Sequence, residues 1–548
     1  MKSKNTKVMS LIIVVMVLFT LISGCNGSTD KQTDTQDTSQ TEKNNTNEDG
    51  IKPLEPITFE LFINWTVDDW NGWGNDPVTQ EFTRRTGVTL DITSATTADN
   101  AQINAMIASG DLPDFVAYGA DSPLRPTLWK QGFLKPLNKL MDDYAPSLRN
   151  ILAKDMDKIY QEEDGNFYMF VGFYADIDKI AKLPGTLNTV TGFSINKPMY
   201  EQVGSPEMKT LEQYRDIMKT IKKENPEIKY LAYDMVPKGP SDDRNMAQLI
   251  NRAFGGTHIN SIANDGTVHL NFRDESYKNA ILYINSLYRD GLFDPENFTI
   301  TKEEQYVDLL KNKKIFSVWG QPFNVFKWND DVDGPYVTSE IPTNPGVQMT
   351  LNSVITGIGG GGVSITEQCK DPERAIKFFE FYLSDEGQML AYHGIEGKDY
   401  EMVDGMPKNL PEKAKMWAED FPGMQKEMGI LNYNVCFATS MWVDMMYYYW
   451  MNEDAPAYKL DAEINNKYAI NERINTLIKV PSDSDAKVTE TKVIDLWTLS
   501  LPKMYLAESE AQCIDAYNQF VEQAEKLGLS ELEAEYTKVY KEWLPKIQ

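Results

Sequence analysis

Hydrophobic and polar residues alternate in two short segments near the start of the globular part of the chain. Residues 57–63 alternate up to Asn64 and Trp65, and residues 88–92 alternate again after a stretch of helical spacing at 78–85. Alternation with a period of two predicts a half-buried strand, whereas apolar residues three to four positions apart predict a helix. The globular part therefore opens with a predicted β-α-β unit, which is typical of α/β folds.

Three later segments carry apolar residues at helical spacing and have recognisable ends. Thr210 begins a capping-box pattern, and Asp371 precedes a proline, as residues at helix N-termini often do. A third apolar stripe stops near Gly291, a residue suited to the turn that ends a helix. Short strands are predicted over residues 229–233 and 314–318, between these helices. The pattern favours the α/β fold class without internal repeats.

The first 24 residues have the layout of a secretory signal peptide. Three lysines precede an uncharged apolar run over residues 8–22, which is too short for a good transmembrane span. Residues 22–25, Ile-Ser-Gly-Cys, resemble the lipobox of bacterial lipoproteins, in which cleavage before the cysteine leaves it acylated. Cys25 is therefore expected to carry lipid, and three acyl chains exceed the two signals that stable anchoring needs. The alternative is an ordinary secretory signal in which the cysteine occurs by chance.

The segment after the signal is too polar to fold. Residues 26–50 contain no Ala, Val, Ile, Leu, Met or aromatic residue, so they have nothing to bury. With Cys25 they form a predicted lipidated, disordered tether over residues 25–50, which would span about 25 to 30 Å as a flexible coil. Residues 51–548 have the composition of a globular protein and are long enough for two or more domains.

Charge and cysteine content exclude several classes of protein. The formal net charge is −27, so nucleic acid, which requires a basic surface, is not an expected partner. Besides Cys25 the cysteines are Cys369, Cys436 and Cys513, at wide spacings, so no disulfide framework is expected. With three histidines and no CxxC pair, the sequence contains neither a structural zinc motif nor a HExxH metallohydrolase motif.

Several segments together resemble the extracellular solute-binding proteins of family 1, in particular the long, lipoprotein-type members that serve oligosaccharide importers. In chain order these segments are Ile-Asn-Trp at 63–65, Ser-Gly-Asp-Leu-Pro-Asp-Phe at 109–115, Asp-Gly-Asn-Phe-Tyr at 164–168, Phe-Ser-Ile-Asn-Lys at 193–197, Thr-Leu-Glu-Gln-Tyr at 210–214, Ser-Val-Trp-Gly at 317–320, Asp-Pro-Glu-Arg-Ala at 371–375, Ser-Asp-Glu-Gly-Gln at 384–388 and Gly-Ile-Glu-Gly at 394–397. Each segment alone is weak, whereas their order and spacing together are specific. The resemblance runs from about residue 51 to the C-terminus.

The resemblance implies a two-lobed, periplasmic-binding-protein-like type II clamshell in which the chain crosses the hinge three times. The crossings are expected near Val190, near Ile341 and near Gly394. Lobe one would comprise residues 51–189 with 341–393, and lobe two residues 190–340 with 394–548. Ligand would bind in the cleft at the carboxyl ends of the strands, and the lobes would close around it by a hinge motion.

A sugar site needs aromatic side chains for the apolar face of the ring and fixed polar side chains for its hydroxyls. Residues of these types follow predicted strands or lie in segments that the resemblance places at the cleft. The candidate ligand-binding residues are Asn64, Trp65, Trp70, Tyr118, Asp121, Trp319, Gln321, Phe323, Glu396, Trp442 and Asp444. The alternative for each aromatic residue is a place in the core, since aromatics make up 11% of the chain. Few basic residues besides Arg125 lie near them, which favours a neutral oligosaccharide over a uronate.

One acidic segment has the spacing of a calcium-binding loop. Its candidate metal ligands are Asn329, Asp331, Asp333 and Glu340, with asparagine in place of the usual first aspartate. Some alginate-binding relatives carry a calcium site, so a structural Ca²⁺ is a hypothesis here. Against it, Pro335 and Tyr336 are unusual inside such a loop. No other cofactor is expected.

The sequence offers little support for an enzyme. The glycine run at 359–362 lacks the following lysine of a phosphate loop, and Ser364 lacks the second glycine of a nucleophile elbow. The run is therefore interpreted as a tight turn at a strand end. A paired-carboxylate glycosidase stays open, because spacing in sequence does not give separation in space.

The resemblance therefore implies a binding protein and no enzyme. The chain is expected to be a monomeric, lipid-anchored protein on the outer face of the cell membrane, which captures a carbohydrate, in the first place an oligosaccharide, between its lobes. It would then dock on the transmembrane subunits of an ABC permease and deliver the ligand. Another small solute stays open as the ligand. The alternatives are a secreted, lipid-anchored polysaccharide-active enzyme and a sensor subunit that presents ligand to a membrane receptor.

Overall fold

The structure is a computed structural model. It describes residues 55–67, 72–97, 100–152, 156–172, 189, 191–234, 245–257, 259–300, 303–320, 335–352, 360–403, 405–430 and 463–547. The predicted signal peptide, the tether and Cys25 lie outside these residues. In the described part of the chain, no helix has the length and apolar character needed to cross a membrane.

Short strands and longer helices alternate along the described chain. The strands are β1 (Ile57–Ile63), β2 (Val88–Ser94), β3 (Phe115–Gly119), β4 (Phe170–Val171), β5 (Gly192–Asn196), β6 (Tyr230–Asp234), β7 (Asn260–Ile262), β8 (Val268–Leu270), β9 (Ile315–Gly320), β10 (Tyr336–Thr338), β11 (Leu351–Asn352), β12 (Gly361–Ile365), β13 (Tyr400–Val403), β14 (Met406–Asn409) and β15 (Ala469–Ile470). The helices are α1 (Pro77–Thr86), α2 (Ala101–Ser109), α3 (Leu124–Lys130), α4 (Leu137–Tyr144), α5 (Leu148–Ile151), α6 (Met156–Ile159), α7 (Lys197–Gln202), α8 (Leu211–Glu224), α9 (Met246–Ala253), α10 (Glu275–Arg289), α11 (Glu303–Lys311), α12 (Pro372–Leu383), α13 (Asp385–His393), α14 (Pro411–Glu419), α15 (Phe421–Met428), α16 (Arg473–Leu477), α17 (Asp485–Tyr505), α18 (Glu510–Lys526) and α19 (Leu529–Ile547).

The first sheet has five strands in the order β2-β1-β3-β12-β4. β1 is parallel to both of its neighbours, with Ile57 opposite Val88 in β2 and Leu61 opposite Phe115 in β3. β12 runs antiparallel to β3 and to β4. Helices α1 and α2 connect the three parallel strands. The β-α-β opening that the alternation predicted is confirmed.

The second sheet has four strands in the order β10-β5-β9-β6. β6 is parallel to β9, and Tyr230 lies opposite Ile315. β5 is antiparallel to β9, so that Gly192 lies opposite Gly320. The strands predicted at 229–233 and 314–318 are therefore confirmed within one or two residues, and the carboxyl ends of β6 and β9 lie at one edge.

Each sheet is covered by its own hydrophobic core. Buried side chains of the first core come from residues 59–171 and 363–392 and from Ile430. Those of the second core come from residues 193–351 and 478–536. A third, smaller cluster also packs on the second sheet and comprises Tyr230, Tyr306, Leu310, Ile315, Val318 and Tyr336. Among the described residues, separate cores around two sheets confirm the two-lobed α/β architecture. Lobe one and lobe two below denote the residues around the first and the second core.

Residues around the expected second crossing pack in lobe two. Ile341, which was expected near the hinge, is buried in the second core, and Met349 and Leu351 follow it there. The second crossing, near Ile341, stays a prediction.

The chain near the expected third crossing, Gly394, packs against lobe one. Ile395 packs against the first core, and Ile430 is buried within it. The third crossing, near Gly394, and the first crossing, near Val190, stay predictions.

Two of the segments that resemble the solute-binding proteins stabilise lobe one. The buried carboxylate of Asp114 accepts hydrogen bonds from the backbone N–H of Glu60, at 2.9 Å, and of Lys370, at 3.0 Å. The guanidinium of Arg374 donates to the backbone carbonyl of Thr86 at 3.0 Å. These bonds tie α1, β1, the start of β3 and α12 together.

The helix ends agree with the predicted caps. Thr210 accepts a hydrogen bond from the backbone N–H of Gln213, whose side chain accepts from the backbone N–H of Thr210. The side chain of Asp371 accepts from the backbone N–H of Arg374 at the start of α12. Gly291 has a φ of 69° just past the end of α10, a conformation that glycine adopts without steric strain.

Candidate functional site

The parallel strands β1, β2 and β3 end at one edge of the first sheet. The residues just after them are joined by backbone hydrogen bonds: Asn64 donates to Ala117 at 2.9 Å, and Ala95 donates to Ile63 at 2.8 Å. Crevices outside the carboxyl ends of parallel strands are the usual ligand-binding places of open α/β sheets. We therefore take this edge as the candidate site.

The glycine run forms part of the same edge. The backbone carbonyl of Gly360, which has a φ of 92°, accepts a hydrogen bond from the N–H of Ala120 at 2.9 Å. A Cβ on Gly362 would lie 2.6 Å from the carbonyl oxygen of Phe170, so only glycine lets β12 approach β4 this closely. Gly360 precedes β12, and Gly361 and Gly362 lie in that strand, whereas Gly359 is outside the described residues. The interpretation of the whole run as a tight turn at a strand end stays a prediction.

Asn64 is held at the edge by a second asparagine. Its Nδ2 donates to Oδ1 of Asn100 at 2.6 Å. Asn100 lies at the start of α2 with a φ of 58°, a left-handed conformation that asparagine tolerates better than most residues, and its side chain does not cap the helix. The Oδ1 atom of Asn64 is buried without a hydrogen-bond partner among the described residues. An acceptor of this kind suits a hydroxyl group of a ligand.

Trp65 follows Asn64 directly. Its indole packs on the first core from outside and is partly exposed. A tryptophan in this position can keep one ring face for a ligand while the other contacts protein. Asn64 and Trp65 therefore place an acceptor and an aromatic surface side by side.

Trp319 lies in the second core. It is fully buried, and its indole N–H donates to the hydroxyl of Tyr214 at 3.0 Å. Its ring centroid lies 4.6 Å from that of Phe193 and 5.6 Å from that of Tyr214. Alternation along β9 turns this side chain inward against α8. Its contact with ligand, which the sequence predicted, stays a prediction.

Tyr118 is a second core residue among the candidates. Its side chain is fully buried in β3, and its hydroxyl lies 3.0 Å from the hydroxyl of Ser364 in β12. Burial raises the pKa of this phenol far above its usual value. Its polar atom and its ring are both enclosed by protein, and its role in ligand binding stays a prediction.

Asp121 and Arg125, which follow β3, have protein partners. Asp121 Oδ2 lies 2.8 Å from Nζ of Lys479. Arg125 Nε lies 2.6 Å from Oε1 of Glu162, and its guanidinium stands 5.0 Å from the ring centroid of Tyr160. Burial raises the pKa of Glu162, and Arg125 acts against this shift. The charges after β3 are thus already paired.

Of the remaining ligand candidates, Glu396 alone lies in the described part of the chain. Glu396 lies in an exposed turn next to Ile395, which packs on the first core. Residues that lie outside the described part of the chain are Trp70, Gln321, Phe323, Trp442 and Asp444. Their role in ligand binding stays a prediction.

Of the calcium-loop candidates, only Glu340 lies in the described part of the chain; Asn329, Asp331 and Asp333 do not. Both carboxylate oxygens of Glu340 are bonded, one to Lys467 and the other to the hydroxyl of Tyr468. Burial would raise the pKa of Glu340, but these two hydrogen bonds outweigh it and hold the pKa below its usual value. Among the described residues, no three His, Cys, Asp or Glu side chains are grouped to hold a metal ion.

One cluster in lobe two has the residue types of a hydrolytic triad but not its order. The hydroxyl of Ser261 donates to Asp274, and Nε2 of His269 lies 2.8 Å from the other oxygen of the same carboxylate. A triad requires the serine hydroxyl on the imidazole, so that the imidazole can take its proton. Here the carboxylate stands between them, so this cluster does not activate Ser261.

Sequence reasoning missed Asn100, Lys130, Lys479 and Asp483. Asn100 stands before a helical stretch, which is the pattern of an ordinary cap and gives no sign that its side chain turns towards Asn64. Lys479 and Asp483 lie more than 340 residues away in sequence from the residues that they contact. Nothing in a single sequence indicates such pairs.

The chain is similar to two curated bacterial proteins. It is 25% identical over 233 residues to the fructooligosaccharide ABC transporter substrate-binding protein FusA of Streptococcus pneumoniae, an alignment that covers 40% of this chain and 42% of FusA. It is 22% identical over 348 residues to the lipoprotein LipO of Bacillus subtilis, covering 59% of this chain and 64% of LipO. The alignments thus span less than two thirds of either relative.

Solved structures share the fold over most of the chain. FusA in complex with kestose superposes with a TM-score of 0.68 at 19% identity, covering 89% of this chain and all of FusA. The alginate-binding protein AlgQ2, in a structure without calcium ion, gives a TM-score of 0.62 at 19% identity, covering 89% of this chain and 98% of AlgQ2. At this level of identity the likeness establishes the fold.

A family model covers the sequence between α1 and the turn after α13. The model of the bacterial extracellular solute-binding protein family matches residues 78–397, which is more than half of the chain. The match includes most of lobe one and the whole of the second sheet. Together with the two lobes and the edge formed by Asn64 and Trp65, it shows that the chain belongs to the bacterial extracellular solute-binding proteins.

Proposed function

We propose that this protein captures a neutral oligosaccharide between its lobes and delivers it to the transmembrane subunits of an ABC permease, without chemical conversion. The relatives support this reading by name, since FusA is a substrate-binding protein for fructooligosaccharides. The proposed contacts in lobe one are Trp65, for the face of a sugar ring, and Asn64, for a hydroxyl. Gln321 and Phe323, which follow β9 in the sequence, are the proposed contacts of lobe two.

The observation that carries the proposal is the pairing of Asn64 with Trp65. The free oxygen of Asn64 is an acceptor, and sugars offer many hydroxyl donors. The adjacent indole offers an apolar surface of the kind that stacks on the C–H face of a sugar. A ligand with one such face and several hydroxyls satisfies both groups at once.

The charges near this edge support a neutral ligand. Arg125 is engaged by Glu162, and Lys479 is engaged by Asp121. A uronate oligosaccharide would need a cation that is available to its carboxylates. Both of these cations already have a carboxylate partner.

Calorimetric titration and thermal unfolding with two glycans test the proposal. Kestose serves as the neutral probe and an alginate oligosaccharide as the anionic probe. A ligand that binds only the folded state raises the unfolding midpoint. We expect the neutral probe to raise the unfolding midpoint. Trp65→Ala should lose at least about tenfold in affinity because a stacking surface is removed. Trp543→Ala should keep the wild-type affinity. Trp543 is a matched control because it lies on α19, next to Lys546.

The outcomes separate the candidate functions. Binding without products supports a binding protein, and release of shorter sugars from the probe would instead establish an enzyme. Binding of the alginate oligosaccharide alone would refute a neutral ligand. In cells, uptake of labelled oligosaccharide should be lost on deletion of the gene and restored by the wild-type protein but not by Trp65→Ala. Restoration by both would place the binding surface elsewhere.

Attachment to the outer face of the cell membrane through Cys25 is a second part of the proposal. The lipobox-like segment and the similarity to the lipoprotein LipO support it. Metabolic labelling with an alkyne fatty acid should mark the wild-type protein. Cys25→Ser should abolish the label and release the protein into the medium, and a labelled Cys25→Ser protein would disprove this site.

Calcium is proposed only as a structural ion. The oxygen atoms of Asn329, Asp331, Asp333 and Glu340 would hold it, a donor set that suits a hard cation. Glu340 would first have to leave Lys467 and Tyr468. Added Ca²⁺ should raise the unfolding midpoint of the wild-type protein but not that of Asp331→Ala, and an equal response of both would refute the site.

A further inference from the structure

Among the residues that the structure describes, two ion pairs connect lobe one to lobe two. Nζ of Lys130 lies 2.9 Å from Oδ2 of Asp483, and Nζ of Lys479 lies 2.8 Å from Oδ2 of Asp121. The members of each pair are more than 340 residues apart in sequence. The four residues are called the interlobe charge pairs below.

Asp121 and Lys130 are fixed to lobe one. Asp121 precedes α3 and Lys130 is its last residue, and Leu124 and Leu128 of this helix are buried in the first core. Ala120, which precedes Asp121, belongs to the same core. Movement of these two charges therefore requires movement of lobe one as a body.

Lys479 and Asp483 are fixed to lobe two. Ile478 and Val480, on either side of Lys479, are buried in the second core. Asp483 precedes Ser484, which caps α17 through a bond from the N–H of Lys487. The two ion pairs thus join two bodies that each have their own core.

The two pairs have opposite polarity. Lobe one contributes an acid and a base, and lobe two contributes the complementary base and acid. A different match, Asp121 with Asp483 or Lys130 with Lys479, would place like charges together. The arrangement therefore favours one orientation of the lobes, as complementary charges do at protein interfaces.

The exposure of these side chains sets the scale of the effect. Their exposed fractions are 40% for Lys130, 45% for Asp483, 48% for Lys479 and 61% for Asp121. Exposed pairs of this kind shift an equilibrium by about two- to fivefold each. Such a shift biases an opening equilibrium without locking it. The hydrogen bond from Lys130 also lowers the pKa of Asp483, although the pKa remains far below neutral pH in either state.

We propose that the interlobe charge pairs hold the two lobes together before ligand arrives, as a latch that sets the balance between open and closed forms. In this role Asp121 acts on the other lobe rather than on the ligand. The latch needs no particular solute, so it does not rest on the proposed function. Its strength should fall with ionic strength, because these charges are screened beyond about 10 Å at 0.1 M salt and more closely at higher salt.

Double electron–electron resonance without ligand measures this balance directly. Spin labels at Asp143→Cys in lobe one and Asp515→Cys in lobe two report the interlobe distance; both positions are exposed. The full chain carries Cys25→Ser and Cys436→Ser, and the native Cys369 and Cys513 are buried. We expect Lys479→Asp to raise the open-to-closed ratio by about fivefold at low salt. The charge swap Asp121→Lys with Lys479→Asp should return it to within about twofold of wild type.

A matched control and a salt series complete the test. Lys492→Asp on α17 changes the net charge equally but lies outside the pairs, so its ratio should equal that of wild type. The wild-type ratio should rise between 0.05 and 1 M salt, and the Lys479→Asp ratio should change less. Equal ratios in wild type and Lys479→Asp, or no recovery in the charge swap, would overturn the latch. Circular dichroism melts confirm that each variant is folded before its distances are compared.

Discussion

The side-chain amine of Lys413 donates a hydrogen bond of 2.6 Å to the backbone carbonyl of His393, the last residue of α13. The carbonyls at a helix C-terminus lack partners within the helix and carry partial negative charge, so this amine completes the helix end. Lys413 is only 1% exposed. Burial lowers its pKa to about 7, and the nearby carboxylate of Asp399 opposes the shift.

This buried amine predicts a rise of stability with pH. Between pH 7 and pH 10.5 the unfolded chain holds the lysine proton more often than the folded protein does, so the free energy of unfolding increases with pH through this group. The contribution of Lys413 amounts to about 2 kcal/mol between pH 7 and pH 9. Urea unfolding at these two pH values should show the increase in wild type and a smaller one in Lys413→Met.

Lys415→Met is the control for this experiment, because Lys415 is exposed on the same helix. It should follow the wild-type pH dependence. His393 and Asp399 are the same in all three proteins, so the difference between the variants isolates Lys413. Parallel curves for wild type and Lys413→Met would show that the amine is not the source of the pH dependence.

Trp319→Ala should lower stability and leave the affinity of the folded protein unchanged. Truncation of a fully buried tryptophan costs about 4 kcal/mol, through lost contacts and the cavity that remains. Denaturant unfolding measures the loss, and calorimetric titration with kestose under folding conditions measures affinity. Trp65→Ala should give the reverse pattern, with little loss of stability and weak binding. Weak binding by a well-folded Trp319→Ala protein would return Trp319 to the ligand site.

Removal of the hydroxyl groups of Tyr118 and Ser364 should have coupled effects on the free energy of unfolding. It should not change the affinity for ligand. A double-mutant cycle with Tyr118→Phe and Ser364→Ala should give a coupling free energy of about 1 kcal/mol, since each single change leaves a buried hydroxyl unpaired. Affinity for kestose should be equal in all four proteins. Additive losses would mean that the two hydroxyls do not share a hydrogen bond.

The strands and helices with a clear periodicity could be predicted from the sequence, because local rules determine them. β1, β2 and the capping box at Thr210 lie where alternation and side-chain chemistry place them. The boundaries of the lobes were harder to predict from the sequence. Only contacts with distant segments show which core Leu351 and Ile430 join. A short apolar segment has the same sequence pattern whichever of the two cores it packs in.

Only part of the candidate site could be predicted from the sequence, for a related reason. Asn64 and Trp65 follow a strand whose end is visible in the sequence. Trp319 and Tyr118 have the same residue chemistry at the same kind of position, but the direction of a side chain at a strand end depends on register and on the helix behind it. Sequence position alone therefore cannot separate a ligand surface from a core residue.

Asp114→Ala should destabilise lobe one by about 3 kcal/mol. The carboxylate accepts two backbone N–H groups, from Glu60 and Lys370, and its loss leaves both donors without this acceptor. Denaturant unfolding measures the effect, and Asp111→Ala, an exposed residue in the same segment, is the control. A loss of binding without a loss of stability would instead place Asp114 in the ligand site.

Asn100 has two roles, and substitutions can separate them. Its backbone adopts a left-handed conformation, and its side chain holds Asn64. Asn100→Gly keeps the backbone conformation without strain, whereas Asn100→Ala imposes a cost of about 1 kcal/mol. Both variants remove the side chain that holds Asn64, so both should bind kestose about tenfold more weakly. The two should therefore differ in unfolding free energy but agree in affinity. If only the alanine variant lost affinity, backbone strain rather than the hold on Asn64 would explain the effect.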